Sequence, residues 1–313
     1  VLRGNQKTGY RWLKTLDSFG FGGILADDMG LGKTIQIIAL ILEEAGKKTG
    51  AVSLIVCPAS LVYNWEYEFR TFAPSLQLLT VTGTGLEREE ILKQGGGADV
   101  VITSYDLLKR DIELYEGKSF RYQVIDEAQY IKNASTQSAK AVKAIDAGSR
   151  FALTGTPIEN RLSELWSIFD YLMPGFLFTY QKFKKEYELP IAKEGDKEAL
   201  EGLRRLIGPF ILRRLKKDVL KELPDKLETV VYSAFDKEQK KLYAANALRL
   251  KQDLESMEGG MGQKSVQVLA ELTKLRQICC DPHLCYENYG GGSAKLETCI
   301  DMVKNAVEEI GRA

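Results

Sequence analysis

The stretch Gly23–Leu42 reads GILADDMGLGKTIQIIALIL, and its reading decides the fold. Gly23–Ala26 is a short apolar run, as expected of a strand buried on both faces. Ile35–Leu42 is the apolar start of a helix. Between them stands Asp27-Asp28-Met29-Gly30-Leu31-Gly32-Lys33-Thr34. Gly30 and Gly32 permit backbone angles that bring amide groups up to phosphate oxygens. The helix that follows adds the partial positive charge of its N-terminus. Lys33 supplies a point charge to the β- and γ-phosphates, and the Thr34 hydroxyl is an oxygen ligand for Mg²⁺. The expected ligand is ATP, cradled by Asp28, Met29, Gly30, Leu31, Gly32, Lys33 and Thr34. One departure stands out: the pattern G-x-x-x-x-G-K-[ST] wants glycine where this chain has Asp27.

A second informative run follows about ninety residues later: Val124-Ile125-Asp126-Glu127-Ala128-Gln129. Beside a phosphate loop, an aspartate at a strand end holds Mg²⁺, and the neighbouring glutamate orients or deprotonates the attacking water. Asp126 is therefore the expected metal carboxylate with Thr34, and Lys33, Asp126 and Glu127 the expected catalytic set.

Working outward, short apolar runs at Ser53–Cys57, Leu76–Val81, Asp99–Thr103, Gln123–Ile125 and Arg150–Leu153 predict further buried strands. Helical patterns at Thr34–Glu44, Leu61–Thr71, Thr136–Ile145 and Ser163–Leu172 separate most of them. Strand–helix alternation of this kind predicts an α/β fold, a mainly parallel sheet sandwiched by helices, with ligands beyond the carboxyl ends of the strands. After Pro174 the texture changes. Residues 176–222 read as helical, Leu227–Phe235 as strand-like, and Glu238–Leu254 and Val266–Ile278 as two long helices. The main boundary is expected near Pro224.

Composition narrows the class. At 313 residues the chain suits two domains. No apolar run reaches the roughly 18–20 residues that span a bilayer, so no membrane association is expected. The N-terminus has no signal-peptide pattern and no initiator Met, as a fragment would. The five cysteines are odd in number, and Cys279 adjoins Cys280, unlike a disulfide framework. A reducing cytoplasm is the expected compartment. Cys280, Cys285 and His283 lack the second paired arm of a zinc site. With 43 basic and 43 acidic residues, the global charge gives no support to a nucleic-acid partner, so that case rests on local patches. One candidate is Arg204–Lys217, with six basic residues and no acidic one, which also reads as a solvated helix face.

Taken together, these motifs resemble helicase superfamily two, and within it the Swi/Snf family of DNA translocases. Asp27–Thr34 resembles that family's first motif, which normally begins with Asp. Asp126-Glu127-Ala128-Gln129 resembles its DEAH-like second motif, and Leu153-Thr154-Gly155-Thr156-Pro157, with Glu159-Asn160 and Leu165-Trp166, its third. Leu54–Trp65, containing Cys57-Pro58-Ala59-Ser60-Leu61, and Thr103-Ser104-Tyr105 resemble its motifs Ia and Ib, and Leu2–Gln6 with Gly9, Trp12 and Leu13 its adenine-reading segment. Leu212–Val219 with Leu223-Pro224 is similar to the stretch that closes the family's first lobe, and Leu275–Leu284 to part of the insertion before its second.

The resemblance implies a RecA-like P-loop NTPase lobe over residues 1–224, with a helical protrusion over about 174–224. Residues 225–313 would be a linker, a helical insertion and the truncated start of a second lobe. It implies a DNA-dependent ATPase that remodels protein–DNA complexes, with Gln6 bonding the adenine edge. Ser60, Thr103, Ser104 and Thr154 would contact the phosphates of duplex DNA. The family's second lobe carries an arginine motif that this sequence does not match, which implies ATP binding with little turnover by this chain alone. Glu159-Asn160 has a bacterial look, implying a nucleoid-associated protein; a eukaryotic parent would be nuclear. Two other readings stay open at this level: an RNA helicase or restriction translocase subunit of the same superfamily, and a nucleotide-gated protein-interaction module.

Overall fold

The computed structural model describes residues 2–47, 50–155, 162–219, 229–256 and 261–310. The chain divides into two compact units, Val1–Pro224 and Asp225–Ala313.

The first unit is built on a seven-stranded parallel sheet. Its strands are β1 (Gly23–Leu25), β2 (Ser53–Cys57), β3 (Leu78–Thr80), β4 (Val100–Ser104), β5 (Ser119–Ile125), β6 (Asp146–Leu153) and β7 (Ile211–Leu212). They lie in the order β3-β4-β2-β5-β6-β1-β7, and every pairing is parallel. The helices of this unit include α1 (Gly4–Ser18), α2 (Lys33–Ala45), α3 (Val62–Phe72), α4 (Gly85–Gln94), α5 (Tyr105–Arg110), α6 (Gln137–Ala144) and α7 (Leu162–Leu172). The central strands are covered on both faces, which is why they read as unbroken apolar runs: Leu54, Ile55, Val56, Val124, Ile125, Phe151 and Ala152 have no exposed surface. This is the α/β architecture expected of the sequence.

The order of strands positions the site. β6 lies between β1 and β5, pairing Leu25 with Leu153 on one side and Val124 with Phe151 on the other. The loop after β1 and the acidic pair after β5 therefore open at the same, carboxyl edge, one strand apart. A polar cluster on the opposite edge fastens α1. Asp17 accepts from Arg121 Nη2 at 2.6 Å, Tyr122 Oη at 2.9 Å and Ser149 Oγ at 2.7 Å, while Arg121 Nε reaches Glu44 of α2 at 2.9 Å. Burial would raise the Asp17 carboxyl, but these hydrogen bonds outweigh it and hold it below the ordinary value.

Two expectations after Pro174 are corrected. The stretch read as helical is so at Tyr180–Phe183, at the π-helical Lys184–Glu188 and Pro190–Glu194 and at Lys197–Ile207, but it then forms β7, which adds a seventh strand beside β1. Two residues are too few for a period, so β7 left no sequence signal. The strand-like run at Leu227–Phe235 forms no strand within its described residues 229–235. Val230, Val231 and Tyr232 stand in solvent, Tyr232 at 90% exposure, with no partner strand to pack against.

The second unit is helical, with Lys237–Ser256 packed against Met261–Cys280, and Ala294–Ile310 following. Buried Gln239 donates to the Ile278 carbonyl at 2.9 Å and joins the first pair.

Candidate nucleotide site

Gly30 and Gly32 both adopt the left-handed region, at φ 84° and 82°. Gly32 caps α2, so that helix begins at Lys33 with its amides facing the loop. A Cβ on Gly32 would stand 2.4 Å from Gln6 Nε2, and one on Gly30 would meet only the tip of Lys216 at 3.2 Å. Lys33 Nζ donates to the Asp27 carbonyl at 2.8 Å, which holds the ammonium over the loop.

Asp27, the residue that departs from the common glycine, has a structural use. Its carboxylate is fully buried and accepts from Arg214 through Nε at 2.8 Å and through Nη2, and from Gln36 Nε2 at 3.3 Å. Arg214 also reaches Gln36 Oε1 at 3.0 Å and the Asn5 carbonyl. One guanidinium thus joins α1, the loop, α2 and the segment after β7. Gly9 of α1 has no room for a side chain because a Cβ there would strike Gln36 Oε1 and Arg214 Nη2. Asp28 braces the loop from the same side, its carboxylate accepting from Lys216 N at 2.9 Å and its amide donating to the Arg214 carbonyl at 3.0 Å.

Across the cleft, Asp126 ends β5. Its Oδ2 accepts from Trp65 Nε1 at 2.9 Å and its Oδ1 from the Glu127 amide at 2.9 Å. Burial raises its carboxyl above the ordinary value against these two donors. Glu127 holds a left-handed conformation at φ 52°, uncommon for a residue with a side chain and a mark of functional sites. Gln129 Nε2 fixes its carboxylate at 2.7 Å, and Thr154 Oγ1 donates to Gln129 Oε1 at 3.4 Å, so the ends of β5 and β6 are linked.

A cavity of about 670 Å³ brings these parts together. Met29, Gly30, Gly32, Lys33 and Thr34 line one wall, and Asp126 and Glu127 the other. Arg3 and Gln6 of the N-terminal segment complete it, with Tyr67, Glu68 and Phe72 of α3. Asp28 and Leu31 lie behind the wall, Leu31 buried with its carbonyl accepting from Gln6 Nε2 at 3.4 Å. Gln6 Oε1 accepts the Arg3 amide at 2.9 Å. Glu68 was invisible to sequence reasoning. Its carboxyl is raised by burial, opposed by hydrogen bonds from Asn64 and the Thr34 hydroxyl. No spacing rule ties a residue of α3 to the loop 34 positions earlier.

The model of the SNF2-related domain matches residues 5–284. The chain belongs to the SNF2-related family. An uncharacterized ATP-dependent helicase of Mycoplasma genitalium is 41% identical to it over 309 residues, covering 98% of this chain and 29% of that protein. The TATA-binding protein-associated factor MOT1 of Saccharomyces cerevisiae is 40% identical over 311 residues, covering 91% of this chain and 17% of MOT1. The solved Sulfolobus solfataricus SWI2/SNF2 ATPase core in complex with dsDNA has 40% identity and a TM-score of 0.67, covering 99% of this chain and 65% of that one. The SNF2-related chain thus spans under a third of these two relatives and about two thirds of the solved core. That likeness also identifies the sheet as the RecA-like lobe of such a core.

The expected nucleic-acid contacts of the SNF2-related lobe need correction. Thr103 lies inside β4 with no exposure, so its hydroxyl is a core group and not a phosphate ligand. Ser104 is buried and caps α5 by accepting from the Leu107 amide at 3.3 Å. Thr154 is buried and engaged with Gln129. Of the four, Ser60 alone is exposed, in the turn Ala59–Leu61 between β2 and α3. The basic run is also divided: Arg214 turns inward to Asp27, and Arg204 pairs with Glu201 at 2.9 Å. Thr156, Pro157, Glu159, Asn160, Leu223 and Pro224 lie outside the described residues.

Proposed function

We propose that the cleft binds ATP with Mg²⁺ and that the chain is the ATP-binding motor lobe of a Swi/Snf-type translocase acting on duplex DNA. One observation carries the reading: Lys33 and Thr34 face Asp126 and Glu127 across a single cavity. The donor set fits the ion. Mg²⁺ keeps several waters and takes one or two protein oxygens beside the phosphates. Thr34 and Asp126 supply two such oxygens, and among the described residues no cluster of three His, Cys, Asp or Glu forms an all-protein metal cage. When bound, the ion neutralises charge on the phosphate oxygens.

The chain's own residues do the rest. The amides of the loop and the start of α2 hold the phosphates, and Lys33 exchanges the Asp27 carbonyl for phosphate oxygens. The second amide hydrogen of Gln6 serves the base edge. Glu127, fixed by Gln129, orients the attacking water and accepts its proton. The arginine that stabilises transition-state charge is worth roughly 10³–10⁵ in rate in P-loop systems. This sequence has no match to the family's arginine motif, so the second lobe in cis would supply it, and the 313-residue chain binds ATP but turns it over slowly. Duplex DNA is gripped by its backbone, independent of sequence, with the exposed Ser60 turn among the contacts.

The test measures ATP affinity by calorimetry and phosphate release with and without duplex DNA or RNA. Lys33→Ala should weaken ATP binding roughly 10–100-fold, the loss of a charge-assisted contact. Glu127→Gln should retain affinity. Unaltered affinity in Lys33→Ala would refute the site, and rapid DNA-stimulated turnover by this chain would refute the arginine argument. In the longer protein, stimulation by RNA and not by duplex DNA would refute the track.

A further inference from the structure

α3 presents two polar side chains to the cleft from one face, Trp65 and Glu68, three residues apart and so one above the other. Trp65 Nε1 donates to Asp126 Oδ2 at 2.9 Å. Glu68 lines the cavity with Thr34, whose hydroxyl acts to lower its carboxyl, and its Oε1 accepts from Asn64 Nδ2 at 3.2 Å. These partners are the two oxygen donors assigned to the cation, each on a different element and each touched by the same helix.

We propose that Trp65 and Glu68 are positioning residues for cation binding, Trp65 fixing the Asp126 carboxylate and Glu68 accepting a hydrogen bond from the Thr34 hydroxyl. The inference rests on the reading of the cleft as a magnesium nucleotide site. A hydroxyl that ligates a cation offers an oxygen lone pair and must direct its O–H away from the charge, toward an acceptor. Glu68 is that acceptor. An ionised carboxylate has about four lone-pair sites, so Asp126 keeps capacity for a cation while Trp65 and the Glu127 amide fix its plane. Partners of this kind typically contribute 10–100-fold to metal affinity. α3 is suited to the role because it is anchored in the core, with Val62 and Phe69 buried beside Trp65.

The experiment is fluorescence titration of the full chain with a methylanthraniloyl-ADP probe, in excess magnesium and in EDTA. The ratio of the two affinities isolates the contribution of the cation from that of the nucleotide. Glu68→Ala should cut that ratio roughly tenfold and leave the EDTA affinity unchanged. Glu68→Gln, whose amide oxygen still accepts a hydrogen bond, should restore most of it. Trp65→Phe, which keeps the ring and removes the donor, should lower it as well. Thr34→Ala combined with Glu68→Ala should be no worse than Thr34→Ala alone. A full magnesium ratio in Glu68→Ala overturns the inference and leaves the nucleotide site standing, and so does an equal fall in EDTA and in magnesium. Wild-type chain that binds no nucleotide under either condition overturns the proposed function and the inference together.

Discussion

Gly30 and Gly32 share a left-handed backbone but not the same surroundings, and the difference predicts different costs. An alanine at either position bears about 1–2 kcal/mol for that conformation. At Gly30 the added carbon meets only the flexible end of Lys216, which can move. At Gly32 it meets Gln6, whose amide is already engaged with Leu31 and Arg3. Gly32→Ala should therefore lower the melting temperature more than Gly30→Ala, and equal shifts would show that Gln6 yields freely. The loop and the acidic pair were legible in the sequence because each is a local pattern whose chemistry requires neighbouring residues. Trp65, Glu68 and Arg214 were not, because they reach the cleft from positions 65, 68 and 214, and only tertiary packing brings them there. The phosphate-contacting hydroxyls expected by resemblance fared worse. Thr103 and Ser104 lie at the buried end of β4, and that burial decides where their side chains can point.

Among the elements, α1 is attached through a charged cluster around Asp17. Asp17 has a depressed carboxyl, so its contribution is present above the unfolded-state value of about 3.9 and is lost as pH falls through the folded value. Asp17→Asn should cost about 2 kcal/mol near neutral pH, measured as the urea midpoint, and the gap from wild type should close in acid. A gap that stays constant down to pH 3 would mean that the cost is packing, not charge. The strands that were legible carry short apolar runs that alternate with helices. β7 is a strand by virtue of β1 beside it, and residues 229–235 show the converse, strand-forming side chains without a neighbour.

For the molecule as a whole, the pocket's lining and its braces all come from the first compact unit, Val1–Pro224. A chain ending at Pro224 should fold and bind ATP with a free energy within roughly 0.5 kcal/mol of the full chain, as expected of independent regions. Calorimetry on both checks this, and loss of binding in the shorter chain would assign part of the site to residues 225–313. Composition could not have located the boundary of the pocket, because equal numbers of acids and bases conceal where each sign gathers. The bond between Arg214 and Asp27 has a further consequence. The polypeptide departs from its sheet through β7 and, two residues on, is buttoned to the floor of the phosphate loop. The thread that leads from the sheet toward residues 225–313 is therefore pinned beside the phosphate loop, and any displacement of that loop would be felt at this exit.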